Sequence, residues 1–314
     1  MQYRFCAVYV ASCFVVAACG GGGGGSSSFT PASPPPPNTT VSDLQFAETF
    51  QAITTTLSID ATSFGGATIN GQNAEIVQTG NAGPGRVSYN PSGDSFTFTA
   101  PSGIGDIDFS VDQGDIDASL TDELSTVYAT ETATTTTTTE ILGADNGIQS
   151  LDYVTFGEWA RANGPDRTIV FGHSVFGVQT LASDMPTTGT AQYQGLSYGA
   201  LVDESRPLGN ISLLRGDLTI NANFETGAVE TSMAFFAQPL DSLAASPWDI
   251  VTSSGAISSG TNAFSGAASA VGDSSLTGVL NGAFFGPAAS EAGGTWSVSN
   301  GTVTASGAFA GAAQ

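Results

Sequence analysis

Residues 276–296, LTGVLNGAFFGPAASEAGGTW, decide the fold of this chain. The stretch begins as a strand in which Gly278 and Gly282 share one face with larger apolar residues. Because glycine weakens a strand, two on one face indicate a tightly curved sheet or a close backbone approach, as in a barrel wall. The strand must end at Gly286-Pro287, since proline cannot donate a hydrogen bond to the ladder.

A turn and a second strand are predicted to follow. We predict one helical turn over residues 288–292. The Gly293-Gly294 pair should end that turn, through a positive φ angle or close packing against the barrel wall. The next strand then opens at Thr295 and Trp296.

The same residues carry a resemblance to a known family. The segment 282–296, GAFFGPAASEAGGTW, resembles the signature of the β-barrel domain of transferrin-binding protein B, a group that includes factor H binding protein and related surface lipoproteins. Residues 185–195, MPTTGTAQYQG, are similar to the opening strand of that barrel. The resemblance implies a barrel domain over residues 181–314. It assigns a structural role to the motif residues Phe284, Phe285, Gly286, Pro287, Glu291, Gly293 and Gly294.

The first residues have the pattern of an exported lipoprotein. Residues 1–18 carry one basic side chain and then an apolar run that is too short to span a bilayer, which is typical of a signal peptide. The sequence around Cys19, VAACG, resembles a lipoprotein box, although ordinary cleavage is an alternative. Glycine and proline runs then predict a flexible tether over residues 19–43. We expect lipidated Cys19 to anchor the protein in outer-membrane lipid at the surface of a Gram-negative cell.

Cysteine usage and charge restrict the function class. Cys6 and Cys13 lie in the predicted signal peptide, so the mature chain has no disulfide framework. The net charge is −22, and all six basic residues are arginines. Such a surface repels nucleic acid, so we exclude nucleic-acid binding.

Residues 44–180 are predicted to form a β-rich handle domain. Residues 95–99 alternate cleanly between apolar and polar, and residues 106–120 read as a hairpin that turns at 112–115. The aspartates of this hairpin do not have the spacing of an EF-hand calcium loop, so a solvated sheet face is expected. A structural cation on residues 106–117 is the alternative, and no metal-ligating residues are assigned. A further strand over 151–159 should lead into a loop at 161–167.

Catalysis has one candidate motif, and the sequence argues against it. Gly172-His-Ser-Val175 resembles the start of a hydrolase nucleophile elbow, but Phe176 stands where the second glycine belongs. His173 is the only histidine, so a serine nucleophile would have no base arriving from elsewhere in the fold. No cysteine nucleophile and no phosphate loop with a lysine is present. We therefore expect no catalytic residues and no cofactor, and we predict that the protein is not an enzyme.

The fold class predicted is mainly β: an N-terminal β handle domain followed by a C-terminal soluble eight-stranded antiparallel β-barrel. About eight strands fit residues 186–311, the number at which interior side chains fill a barrel. One hairpin should turn at 225–228 and the last at Asn300-Gly301, in a type I′ turn. One apolar face per strand favours a soluble barrel over a membrane-spanning one.

The family resemblance implies a binding module for a protein or nutrient ligand, which in relatives is often an iron source. The alternative is a structural or adhesive surface lipoprotein with no small ligand. We expect a monomer. Because side chains should fill the lumen, binding is expected on loops at the barrel end and on the facing handle.

Two connections are predicted to be long and irregular, residues 199–215 and 239–248, and such loops often carry function. They contain residue types that are enriched at interface hot spots, namely Arg206, Arg215 and Trp248. The alternative is that the two arginines only balance the neighbouring Glu204 and Asp217.

Overall fold

The computed structural model describes residues 37–62, 69–80, 83, 85–99, 108–121, 125–142, 151–242 and 244–314. All regular elements in these ranges are β-strands, apart from three short 3-10 turns. No helix in this part of the chain is long and apolar enough to cross a membrane. The predicted signal peptide and residues 19–36 of the predicted tether, with Cys19, lie outside the described residues.

The first half of the described chain forms two antiparallel sheets. Its strands are β1 (Glu48–Gln51), β2 (Ile53–Ala61), β3 (Gly71–Gln78), β4 (Arg86–Asn90), β5 (Ser95–Thr99), β6 (Asp108–Val111), β7 (Ser125–Glu131), β8 (Thr135–Leu142), β9 (Val154–Asn163) and β10 (Thr168–Gly177). The smaller sheet has the order β1-β4-β5-β6, and the larger one has the order β3-β2-β10-β9-β8-β7.

The two sheets face each other across an aromatic core. Strand alternation explains this packing, because successive side chains of a strand point to opposite faces of the sheet. Phe98 of the smaller sheet and Trp159 and Phe176 of the larger sheet are all buried in one cluster. The Phe98 and Phe176 rings meet edge to face, with centroids 6.3 Å apart. The other face of the larger sheet, which includes Phe171, packs on the barrel.

The hairpin predicted over residues 106–120 is wrong. β6 pairs with β5, and the chain then makes a 3-10 turn at Gln113–Asp115. The Asp112 carboxylate accepts from the Gly114 N–H at 2.7 Å, and the Asp115 carboxylate accepts from the Asp112 N–H at 3.0 Å. This capping box stabilises a local turn, so the chain leaves the sheet there. Among the residues described, no group of three or more His, Cys, Asp or Glu side chains is placed to hold a metal ion.

Three strands of the larger sheet add detail to the predicted handle. A run of threonines opens the strand β8, which begins at Thr135. β9 continues to Asn163, two residues beyond the predicted start of the loop at 161. Residues 172–175 lie inside one continuous strand, β10, between β2 and β9, so the motif does not form the strand-to-helix turn of a nucleophile elbow.

The second half of the chain closes into an eight-stranded antiparallel barrel. Its strands are β11 (Thr190–Asp203), β12 (Ile211–Asn223), β13 (Ala228–Pro239), β14 (Ser246–Ile257), β15 (Ala263–Ala270), β16 (Thr277–Phe285), β17 (Glu291–Ser299) and β18 (Val303–Ala313). Each strand pairs with the next, and β18 pairs with β11. The predicted fold class, a β handle followed by an eight-stranded antiparallel barrel, is confirmed.

Side chains fill the barrel lumen, as the strand number predicts. The core includes Tyr193, Phe235, Phe284 and Trp296, all nearly or fully buried. The Trp296 indole N–H donates to the Ser197 hydroxyl at 3.0 Å, so this large side chain has its polar atom satisfied. The lumen is therefore a packed core.

The stretch 276–296 folds differently from the prediction at its second half. The strand β16 ends at Phe285, and the 3-10 turn is confined to Pro287–Ala289. β17 already begins at Glu291, so Gly293-Gly294 lies inside a strand and does not end a turn. The positive φ angles fall on Gly286, Ala288 and Ala289 instead. The second reason given for these glycines, close packing, is the correct one. A Cβ at position 293 would lie 2.9 Å from Val154 of the handle.

The last hairpin is confirmed, but its turn is not type I′. That turn type requires a positive φ at both central residues, and only Gly301 has one, at 85°. The Asn300 side-chain oxygen instead accepts from the backbone N–H groups of Thr302 and Val303, at 3.0 and 2.8 Å. The asparagine side chain thus replaces part of the backbone hydrogen bonding of the turn.

A single buried carboxylate joins handle and barrel. Glu291 opens β17, is 4% exposed, and accepts from the backbone N–H groups of Asp152, Tyr153 and Val154 at 2.7–2.8 Å. Burial raises the pKa of Glu291, and the three N–H donors oppose that rise. Gln78 makes a second link, because it donates to Thr295 and accepts from Ser297. We call this contact region between the larger handle sheet and the barrel wall the seam.

Candidate binding surface at one end of the barrel

Four loops lie at the same end of the barrel because its strands are antiparallel. They connect β11 to β12, β13 to β14, β15 to β16, and β17 to β18. The first and last are neighbours, since the Glu204 N–H donates to the Thr302 carbonyl at 2.9 Å. The last and third also meet, because the Asn300 side-chain amide donates to the Ser275 hydroxyl at 3.1 Å. We call this set the end loops.

The end loops are shorter than the sequence predicts. The predicted connection 199–215 is mostly strand, since β11 runs to Asp203 and β12 begins at Ile211. Gly199 and Gly216 are both strand residues at close backbone approaches. A Cβ at position 199 would lie 2.6 Å from the Ser306 carbonyl oxygen. The predicted connection 239–248 is likewise too long, because β14 already begins at Ser246.

The loop between β11 and β12 is fixed to the edge strand of the handle. The Asn210 side chain is 4% exposed, and it accepts from the Gly71 N–H and donates to the Gly71 carbonyl, at 2.8 and 2.6 Å. The Gly209 N–H donates to the Asn70 side chain at 2.7 Å, and the Ala74 N–H donates to the Glu204 carboxylate at 2.9 Å. Both sides of this loop are therefore held in place by the handle.

The tip of the fixed loop presents a cation beside an apolar side chain. Arg206 is exposed, and Leu208 is 68% exposed. The proposed pairing of Arg206 with Glu204 is absent, since no carboxylate in the described part of the chain lies within 4.0 Å of its guanidinium. Val271, in the loop between β15 and β16, is 62% exposed at the same end. The arrangement offers apolar contacts and one free guanidinium to a partner, on a rigid support.

The structure separates the three residues that the sequence proposed as binding residues. Arg206 lies on the end loops, as predicted. Arg215 lies on β12, on the outer wall of the barrel, with its guanidinium 5.4 Å from the centre of the Tyr198 ring. Trp248 lies on β14, is half-buried, and packs against Phe235 of the barrel core, with ring centroids 6.0 Å apart. The prediction that all three lie on irregular connections is wrong for Arg215 and Trp248.

Sequence reasoning missed Leu208 and Val271. A usable signal was present, because each is a large apolar residue next to a glycine in a short polar connection: Pro207-Leu208-Gly209 and Val271-Gly272. An apolar residue in such a place cannot reach a core, so it faces solvent or a partner.

The motif residues lie around the turn between β16 and β17. Phe284 points into the lumen, and Phe285 points outward into the seam, as expected for adjacent residues of one strand. Gly286 has a φ of 71°, and Pro287 is exposed. This turn lies at the opposite end of the barrel from the end loops, together with Leu181, which is 71% exposed.

Comparison with known proteins relates the barrel to one family. The family described as C-lobe and N-lobe beta barrels of Tf-binding protein B matches residues 185–313. Transferrin-binding protein B of Haemophilus influenzae (strain ATCC 51907 / DSM 11121 / KW20 / Rd) is 30% identical over 162 residues, which are 46% of this chain and 25% of the relative.

Two solved structures are similar at lower identity. One is intact Ap-TbpB with its N and C lobes: its TM-score is 0.47 at 15% identity, and the match covers 78% of this chain and 48% of that chain. The other is a double mutant of transferrin-binding protein B from Haemophilus parasuis Hp5: its TM-score is 0.46 at 16% identity, covering 78% and 47%. The chain thus spans a quarter of the curated relative and under half of these two. From the family match and the curated relative, residues 185–313 form a β-barrel that is similar to the barrels of transferrin-binding protein B.

Proposed function

We propose that this protein is a lipid-anchored surface protein that binds a protein ligand in connection with iron acquisition, and that it is a binding protein and not an enzyme. The observation that carries the proposal is the loop between β11 and β12, which the handle fixes and which presents Arg206 and Leu208 to solvent. The relative from Haemophilus influenzae is named for binding transferrin, which supports this class of ligand.

A protein ligand fits the end loops better than a small molecule does. Side chains fill the lumen, so the barrel leaves no room for a ligand of its own. Exposed leucine and valine side chains beside a free guanidinium are suited to a broad contact with a partner surface. Because the handle already orders the loop, binding there costs less conformational entropy than binding at a free loop would.

Substitution at the end loops should weaken binding of the partner. We expect Arg206→Ala and Leu208→Ala each to lower affinity by about tenfold or more, the effect of losing a hot-spot side chain. The measurement is surface plasmon resonance on the full chain, first with iron-loaded transferrin and then with any protein that the chain retains from serum. Leu181→Ala is the matched control, because Leu181 is as exposed as Leu208 but lies at the opposite end of the barrel.

An equal loss of affinity for the partner in Leu208→Ala and Leu181→Ala would contradict the assignment of the binding surface to the end loops. If no serum protein is retained, and cells that display the chain attach to each other or to a surface instead, the structural or adhesive alternative is favoured.

Anchoring is proposed to depend on Cys19. The small residues before it and the glycine run after it are the sequence features that support lipidation and a tether. We expect Cys19→Ala to leave the precursor unprocessed or to release the protein from the membrane fraction. Fractionation followed by mass spectrometry of the N-terminal peptide checks this. Membrane partition equal to wild type, without the mass of acyl chains, would contradict the anchor.

A further inference from the structure

A cleft of about 300 Å³ lies on the outer wall of the barrel, where the wall meets the handle. Apart from Ala245, its lining residues lie outside the end loops. Three directly paired residues form its barrel side: Tyr198 on β11 pairs with Arg215 on β12, which pairs with Phe236 on β13. Glu158 of β9 contributes from the handle. A volume of this size is at the lower end for sites that take small molecules.

The Arg215 guanidinium in this cleft stacks near an aromatic ring but has no ion pair in the described part of the chain. Its guanidinium lies 5.4 Å from the centre of the Tyr198 ring, and the Tyr198 ring packs in turn on Phe156 of the seam, with centroids 5.4 Å apart. Glu158 and Asp217 line the same cleft, yet no carboxylate among the described residues comes within 4.0 Å of the guanidinium. In a chain of net charge −22, an arginine without a carboxylate partner is available to an external anion.

The position of Glu158 explains why it does not neutralise Arg215. Its carboxylate lies 3.7 Å from the imidazole of His173, which is fully buried in the seam. Neither ring nitrogen of His173 has a hydrogen-bond partner among the described residues. Glu158 therefore lies beside His173, its partner across the β9–β10 pair, and makes no ion pair with Arg215.

Most of the remaining lining is apolar, and Gln238 is the polar exception. Phe236 is 53% exposed near the end of β13, and Leu213 and Ala234 line the cleft beside it. A guanidinium next to an exposed aromatic ring can bind a polar and an apolar group of one ligand. The guanidinium can donate two parallel hydrogen bonds to a carboxylate, and the Phe236 ring and Leu213 can pack against the apolar part.

We propose that this cleft binds an organic monocarboxylate with an apolar body, about the size of an aromatic amino acid. Its carboxylate accepts hydrogen bonds from Arg215, and its body lies across Phe236 and Leu213. The carboxylates of Glu158 and Asp217 at the rim disfavour a dianion such as a phosphate ester, because like charges repel at short range. The site is independent of the proposed function, since it uses neither Arg206 nor Leu208 of the end loops.

Three related probes test the proposal on the full chain by ligand-observed NMR and calorimetry. We expect saturable binding of 3-phenylpropionate and of L-phenylalanine, and none of 2-phenylethylamine, which has the ring without the carboxylate. Arg215→Gln keeps a planar polar group of similar reach but removes the charge, and should weaken binding by about tenfold or more. Phe236→Ala should weaken it severalfold, while Arg206→Gln, at the end loops, should leave it unchanged.

Several results would overturn the proposal. One is absence of saturable binding up to about 10 mM, a range that detects a Kd of about 1 mM. Another is equal binding of 2-phenylethylamine, which would assign the cleft to cations through Glu158 and Asp217. An equal loss of affinity for the carboxylate probes in Arg206→Gln and Arg215→Gln would mean that the probes are attracted nonspecifically to positive charge. Melting curves of the variants that match wild type show that lost binding does not reflect lost folding.

Discussion

Replacing Gly294 by valine should lower the free energy of unfolding by about 3 kcal/mol or more, at the upper end of overpacking effects. Gly294 faces Gly282 across the β16–β17 pair. A Cβ at position 294 would overlap the Asn281 carbonyl oxygen and lie 2.6 Å from the Gly282 Cα and 2.8 Å from the Phe309 ring. Two of these atoms belong to the backbone, so the barrel wall would have to move. Urea denaturation followed by tryptophan fluorescence measures the effect.

Gly93→Val is the matched control for this substitution. Gly93 lies in an exposed turn of the handle, has no positive φ, and a Cβ there would meet nothing within 4 Å. We expect its free energy of unfolding to stay within about 0.5 kcal/mol of wild type. If Gly294→Val is as stable as this control, the β16 and β17 backbones can move apart at little cost in free energy. The close approach of the two glycines would then be unnecessary for the fold.

Glu291→Ala should lower the free energy of unfolding by about 3 kcal/mol or more, because each buried N–H group left unsatisfied costs about 1–3 kcal/mol. The substitution deletes the acceptor of three backbone N–H groups, those of Asp152, Tyr153 and Val154, and leaves them unpaired in the seam. Chemical denaturation measures the total loss. Hydrogen exchange of the Tyr153 and Val154 amides reports the site itself, and these amides should lose protection. Unchanged protection there would contradict the assigned role.

Glu291→Gln keeps the shape of this side chain but removes its ionisation. Comparing the pH dependence of stability in wild type and in this variant therefore isolates the effect of the charge. Burial raises the pKa of Glu291 in the folded protein. Its contribution to stability is therefore full below the pKa of an unfolded glutamate, about 4.3, and is lost as the pH rises through the folded value. The stability of wild type minus that of Glu291→Gln should fall as the pH rises above about 4.3, the pKa of an unfolded glutamate. A difference that grows with pH would mean that the three N–H donors outweigh burial.

The barrel could be predicted from sequence because its signals are local and periodic. Alternation along β12 and β13, and the Gly-Pro break after Phe285, depend only on neighbours in the chain. The role of Gly293 and Gly294 could not be predicted in the same way. Glycine favours turns and also close strand approaches, and only the tertiary contacts with Val154 and Asn281 distinguish the two.

Only the part of the candidate site that depends on local sequence could be predicted. Arg206 follows a run of turn-forming residues, so its place on a loop is visible in the sequence. Arg215 and Trp248 have neighbours that suggest irregular structure, but pairing with Tyr198 and packing on Phe235 hold them in strands. The fixing of the loop by Asn210 was not predictable, because its partner Gly71 is 139 residues away in the chain.

The strands β17 and β18 are buried on both faces, one against the lumen and one against the handle. The barrel therefore lacks a complete solvent-facing surface of its own. Cut away from the handle, it would expose an apolar strip formed by Ala283, Phe285, Ala308 and Ala310, and the handle would expose Ile53, Val154 and Val175. We therefore expect the handle and the barrel to remain soluble only together, so both must be kept when the protein is transferred to another scaffold. A recombinant form of this chain that is trimmed to the barrel alone would carry an exposed apolar strip that favours aggregation.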